Sequence, residues 1–137
     1  MVFSKNTILR KIEDGLIKIN PFSQSSLGLA CYNLRLGSLF QQEGTNKWEK
    51  HLDFHIPSQG FVLAKTNEKI TLSPKVGCMI FTTGSLAKKG IDVIQSSSFC
   101  EPDTNNEMTL EIVNHGKQEF ILKVGIVVAK AVFMEVI

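Results

Sequence analysis

Apolar side chains recur along this chain mostly at every second position, and at helical spacing only near the N-terminus. There Ile8, Leu9 and Ile12 share one face of a short helix that Ser4 or Asn6 caps, and Gly15 stands where its C-terminal cap belongs. LIKINPF then reads as a brief strand stopped by Pro21. In LACYNLRLGSLF, Cys31, Asn33 and Arg35 alternate with Tyr32, Leu34 and Leu36, which predicts a strand with one buried face. QQEGTNKWEKH is polar and turn-like. FVLAKTNEKITL places Phe61 and Leu63, then Ile70 and Leu72, on strands separated by a Thr-Asn turn signal. From Val76 onward, VGCMIF, IDVIQ, MTLEIVN, EFILKV and VVAKAVFMEVI are short β-rich runs split by Gly, Pro, Asn or Ser clusters. No repeat, linker or alternating strand and helix rhythm interrupts them. The pattern predicts a single mainly β domain over residues 1–137, a sandwich or distorted barrel with one short N-terminal helix and one helical turn near residues 84–89. The terminal run has no polar tail, so an unpaired edge there would invite aggregation; another element or a second subunit is expected to cover it.

Composition narrows the class without naming a partner. At 137 residues, with 43% hydrophobic and 20% charged side chains, the chain is one ordinary globular domain. Fifteen Lys plus Arg against thirteen Asp plus Glu leave +2, spread along the chain, which argues against nucleic acid. No apolar run approaches the ~20 residues of a membrane span, and the N-terminus lacks a secretory apolar segment, so a soluble cytoplasmic protein away from the membrane is expected. Only Arg10 and Arg35 are arginines, so an anion site must lean on lysines and backbone N–H groups. Cys31, Cys78 and Cys100 are odd in number and widely spaced, which predicts small buried hydrophobes in a reducing compartment rather than a disulfide framework or structural zinc.

Chemistry is carried by a few segments. TTGSLAKKG, Thr82 to Gly90, has the residue types of a short helix whose exposed N–H groups and glycine suit a phosphate, with Lys88 and Lys89 adding charge; taken alone, a capped turn with solvated lysines is the commoner outcome. Glu111 in MTLEIVN shares a parity with Thr109 and Val113. A strand carboxylate among β-branched neighbours suits proton transfer when desolvated, although wet-face glutamates are more frequent. CEPDTNNE gathers Glu101, Asp103 and Glu107 in a turn-rich loop where carboxylates could hold a hydrated magnesium or orient water. His51, His55 and His115 lack metal-site spacing. No zinc is expected, and the zinc-deaminase, GxSxG, Walker A and dinucleotide fingerprints are absent.

In order, GLIKINPF (Gly15 to Phe22), ACYNLRLG (Ala30 to Gly37), FVLAKTNE (Phe61 to Glu68), TTGSLAKKG, CEPD (Cys100 to Asp103) and TLEIVNHG (Thr109 to Gly116) resemble motifs of the dCTP deaminase and dUTPase superfamily, closer to the deaminase branch. The resemblance runs from about Ile8 to the end of the chain. It implies a β-clip, dUTPase-like fold, a homotrimer with active sites at subunit interfaces, and a magnesium-bound deoxynucleoside triphosphate as substrate. It also implies that Glu111 is general base and acid for zinc-independent attack of water on C4 of cytosine. Ser85 and the backbone around Gly84 would seat phosphates, Lys88 would stand where an arginine contacts substrate, and Ser96 and Ser97 would lie in the base-recognition stretch.

The departures carry expectations too. Lys88 puts a point charge where a planar bidentate donor is usual, Thr83 replaces the motif's first arginine, and Gly84 removes a serine hydroxyl, all of which weaken phosphate affinity. Asn33 stands for an aspartate. Glu101 keeps a carboxylate one methylene further out, and a shift of about 1 Å can cost on the order of a hundredfold. Asp103 and Asn106 replace turn glycines but tolerate left-handed backbone. The sequence stops at Ile137, where the resemblance leads one to expect a segment closing over the nucleotide. The leading expectation is thus deamination of dCTP to dUTP and ammonia with Glu111 as proton shuttle. Hydrolysis of dUTP to dUMP and pyrophosphate, with Glu101 orienting water, is the alternative, and a nonenzymatic nucleotide- or protein-binding member is the third reading.

Overall fold

In the computed structural model, which describes residues 1–137, helix α1 (Lys5–Glu13) begins where Ser4 turns extended and its Oγ accepts the Thr7 N–H at 3.3 Å. Gly15 ends it at φ 76°. The Gly15 N–H donates to Ile12 O at 3.1 Å and the Leu16 N–H to Lys11 O at 2.8 Å, a Schellman closure that needs left-handed backbone at that one residue. Ile8 is fully buried, with Leu9 and Ile12 packed beside it, as the spacing predicts.

The strands follow as β1 (Ile17–Asn20), β2 (Tyr32–Gln42), β3 (Glu49–Lys50), β4 (Asp53–Ile56), β5 (Phe61–Leu72) and β6 (Val76–Thr82). After the short helix α2 (Gly84–Ala87) come β7 (Ile91–Asp92), β8 (Phe99–Cys100), β9 (Asn105–Asn114), β10 (Phe120–Lys123) and β11 (Val127–Glu135). Nine strands make one curled antiparallel sheet in the order β7-β9-β5-β2-β11-β6-β8, with β1 added on β5 and β3 on β2. β4 and β10 form a separate ribbon whose inward residues Ile56 and Leu122 join the same core as Tyr32, Leu34, Leu36, Leu110, Ile112 and Phe133. This is the mainly β architecture with two short helices that the pattern predicts.

Three expectations need correction. The segment from Phe61 to Leu72 is one strand, not two around a turn: β5 runs through the Thr-Asn signal on a bulge, and Val62 and Ala64 rather than Phe61 and Leu63 face the core. Apolar residues occupy both parities there, so alternation alone could not choose the face. IDVIQ is strand only at Ile91 and Asp92. The terminal run is no edge, because β11 lies between β2 and β6, and past β2 the chain's own start takes over: Val2 bridges Met134 and the Phe3 N–H donates to Phe133 O at 2.9 Å. The hazard is removed within the chain, so it gives no argument for a second subunit.

The β5 bulge is stitched by side chains. β2 pairs with the first half of β5 and β1 with the second half. At the changeover the buried Glu68 carboxylate accepts the Arg35 N–H at 2.9 Å. Thr66 Oγ1 donates to Glu68 O at 2.8 Å and accepts the Met108 N–H at 2.9 Å, so the neighbouring strand is satisfied through the same irregularity. Gly37 crosses β5 so closely that a Cβ would lie 2.8 Å from Lys65 O.

Candidate functional site

Glu111 sits at the middle of β9, half-buried and facing away from the core, opposite Leu63 on β5. Its own N–H donates to Val93 O at 2.9 Å. That bond fastens the stretch leaving β7, which continues into Ser96 and Ser97, alongside the glutamate. The stretch is anchored at its root: Asp92 Oδ1 accepts from Thr82 Oγ1 and from the Ile94 N–H, both at 3.0 Å, while Thr82 Oγ1 accepts the Val93 N–H at 3.1 Å. Sequence reasoning did not single out Asp92 or Thr82; their signal is an aspartate two residues ahead of the N–H it caps.

A cleft of about 340 Å³, the main cleft because it gathers several of the expected residues, lies between β8, the following turn and the first half of β9. It gathers Ser97 and Glu101 with Lys65, Glu107 and Thr109, over a floor that includes Cys100 and Met108. Lys65 Nζ donates to Thr109 Oγ1 at 2.8 Å and lies 4.7 Å from the centre of the Trp48 ring, which fixes the cation at the rim. Lys65 was also missed; its outward parity on β5 was the available signal, hidden by the reading of two strands. Glu111 lies on the same outward row as Thr109, two residues further along β9 and so about 7 Å on, outside the cleft lining.

Glu101 is exposed and starts a turn in which Thr104 Oγ1 donates to its carbonyl at 2.6 Å, with Asp103 left-handed at φ 66°. Asp103 thus takes the backbone expected of it. Asn106 does not: it is extended in β9 and paired with Ile70. The three carboxylates of this loop do not converge, since Glu101 and Glu107 line the cleft and Asp103 does not, and no three His, Cys, Asp or Glu side chains form a metal-binding group. His51 packs edge-on against Phe40 and Phe54, while His55 pairs with Glu119 at 2.9 Å.

Gly84 and Ser85 are exposed at the start of α2, and Lys88 is its exposed C-cap. Thr83 is the N-cap residue but makes no side-chain capping bond, and its Oγ1 is buried without a partner. A Cβ at Gly84 would meet nothing within 4 Å, so the backbone there is open to an approaching group. The cavity beside α2 is lined by Thr82, Ala87, Gly90, Ile91, Asp92 and His115. Neither the main cleft nor the cavity beside α2 gathers all the expected residues: Glu101 and Ser97 line the main cleft, Glu111 lies outside it on β9, and Gly84, Ser85 and Lys88 are on α2. Ser96 is exposed and off the main cleft.

The buried carboxyl of the molecule is Glu68 rather than a residue of the cleft. Burial pushes it above the usual carboxylate range, against the opposing pull of the Arg35 N–H and guanidinium. Asn114, at the end of β9, is almost fully buried. Its Nδ2 donates to Ile56 O and Gln118 O, and its Oδ1 accepts the Gly116 N–H, so the residue closing the TLEIVN strand holds the turn into β10.

Residues 2–136 match the family described as dCTP deaminase-like. A dCTP deaminase, dUMP-forming, of Aquifex aeolicus is 29% identical over 147 residues, covering 97% of this chain and 81% of the relative. Among solved structures, a 2'-deoxycytidine 5'-triphosphate deaminase of Agrobacterium tumefaciens superposes with a TM-score of 0.76 at 13% identity over 96% of this chain, which spans about half of that protein (48%). A dUTPase of Streptococcus mutans gives a TM-score of 0.59 at 17% identity, covering 88% of this chain and 95% of its own. No helix here is long and apolar enough to cross a membrane.

Proposed function

Because this chain belongs to the dCTP deaminase-like family, we propose that it hydrolyses the 4-amino group of dCTP to give dUTP and ammonia. The observation that carries the reading is the Glu111 N–H bond to Val93 O, which fastens the root of the stretch leading to Ser96 and Ser97 against the strand that carries the half-buried carboxylate. In the proposed reaction Glu111 takes a proton from water as it attacks C4, then returns it to the departing amine, without zinc. Magnesium comes with the triphosphate: two carboxylates in the cleft, and no triad, suit a metal already held by phosphate oxygens rather than a protein cage. Gly84, Ser85 and Lys88 bind the phosphates.

Neither the main cleft nor the cavity beside α2 in the single chain is lined by both that phosphate group and Glu111, which favours a site completed between copies in a homotrimer. The outward face supplies a surface for such contact. Phe99, Met79 and Val132 lie in register across β8, β6 and β11, and both Phe99 and the neighbouring Phe81 are nearly half exposed. The Aquifex relative carries "dUMP-forming" in its name, and Glu101 lies in the main cleft beside Lys65; together these favour, as a second activity, release of pyrophosphate by water that Glu101 orients.

Purified protein with magnesium and either dCTP or dUTP, assayed in parallel for ammonia and pyrophosphate, tests both. Ammonia from dCTP is expected, falling roughly 10²- to 10⁴-fold in Glu111→Gln with the fold kept. Unchanged ammonia release in that variant removes Glu111 from the mechanism. Bound nucleotide with neither product assigns the fold to recognition alone.

A further inference from the structure

Two of the three cysteines, far apart in sequence, meet directly: Cys78 on β6 and Cys100 on β8 are register partners. Opposed residues of an antiparallel ladder project to the same side with Cα atoms about 4.5–5.5 Å apart, inside the ~4.4–6.8 Å that a disulfide spans. Both side chains point inward here. Cys78 is fully buried in the core, whereas Cys100 is half-buried, forms part of the cleft floor and has its Sγ 3.0 Å from Met108 Sδ. The two thiols also differ in acidity. The neighbouring Cys78 thiol lowers the Cys100 thiol from the usual thiol range, and the same coupling, with burial, pushes Cys78 well above it. Cys31, at the entrance to β2, is not part of the pair.

We infer that Cys78 and Cys100 are a peroxide-oxidisable dithiol that closes to a disulfide under the floor of the main cleft, fastening β6 to the strand that leads into Glu101. Cys100 reacts first because it alone of the pair reaches the cleft. Its thiolate attacks one oxygen of hydrogen peroxide, the O–O bond breaks, and the sulfur becomes a sulfenic acid while the leaving hydroxide takes up the thiol proton as water. The Cys78 thiol then attacks that sulfur. The S–O bond breaks, the S–S bond forms, and the hydroxyl leaves with the Cys78 proton as a second water. The two sulfurs lose two electrons and the peroxide gains them. Closure takes the S–H donor away from Met108 and ties Glu101 to the sheet by a covalent neighbour, so oxidation is readable at the cleft whatever the substrate.

The test uses the folded whole chain, treated with a few equivalents of hydrogen peroxide, quenched, unfolded, alkylated and mapped by mass. The expected result is joint loss of alkylation at Cys78 and Cys100, one cross-linked peptide pair restored by dithiothreitol, and full alkylation of Cys31. Cys78→Ser is expected to stop at a Cys100 sulfenic acid captured by a 1,3-dione. Persistent alkylation of both cysteines, a cross-link through Cys31, or sulfoxide at Met108 with the dithiol intact would each overturn the inference. The wild-type map decides even where the serine variant fails to fold.

Discussion

Glu68 is buried where β5 exchanges one partner for another, and its carboxylate replaces the ladder acceptor that the Arg35 N–H would otherwise lack. Since the folded protein holds the Glu68 proton more tightly than the unfolded chain, this group adds stability below about pH 4.3 that is lost as pH rises through its elevated folded value. Glu68→Gln, which keeps the acceptor oxygen, is expected to flatten that slope in urea titrations run from about pH 4 to pH 7; an unaltered slope would assign the pH dependence elsewhere. Glu68→Ala orphans the Arg35 N–H and is expected to cost about 1–3 kcal/mol. Individual residues were partly legible in the sequence. Glu111 could be placed on the outward row by parity, because Leu110 and Ile112 are apolar on the other side. Glu68 could not, since a charge on the buried parity contradicts the alternation and makes sense only once the bulge is known. The Cys78 and Cys100 partnership rests on strand pairing, which no local pattern encodes.

Elements with their own punctuation were legible. Ser4 and Gly15 bound α1, Asn33 and Arg35 mark the wet face of β2, and the Thr-Gly-Ser start of α2 is where the pattern puts it. Elements defined by pairing were not: β8 has two residues, and β5 passes through a turn signal because β9 holds both of its halves. The crossing of β2 over β5 depends on Gly37, so Gly37→Ala should strain the bulge by about 1–3 kcal/mol, read as a lowered denaturation midpoint at unchanged m-value. For α2 the expectation concerns binding. Lys88→Ala should weaken triphosphate affinity about tenfold in calorimetry while leaving stability unchanged, because the lysine is exposed and ends the helix rather than holding it. Equal affinity in the variant would assign the phosphates to backbone or to another lysine.

At the scale of the whole molecule, neither the main cleft nor the cavity beside α2 is lined by both Glu111 and the phosphate residues of α2, which makes complementation the informative experiment. In the proposed homotrimer, mixed assemblies of Glu111→Gln and Ser85→Ala chains, each poorly active alone, should regain about a quarter of wild-type sites if each site takes one half from each of two copies. No recovery in demonstrably mixed trimers would confine the site to a single chain. The placement of β11 bears on the order of events during synthesis. β11 follows every other strand of the sheet in sequence yet is a central member of it, flanked by β2 and β6, and it also pairs with Val2 and Phe3. While the ribosome still holds β11, β2 and β6 have nothing between them, and the core face of each waits open. Closure of the sheet therefore waits on β11 and is dominated by contacts between distant parts of the chain, which sets refolding in the millisecond-to-second range of nonlocal β proteins and leaves these strands exposed to chaperones until β11 has emerged.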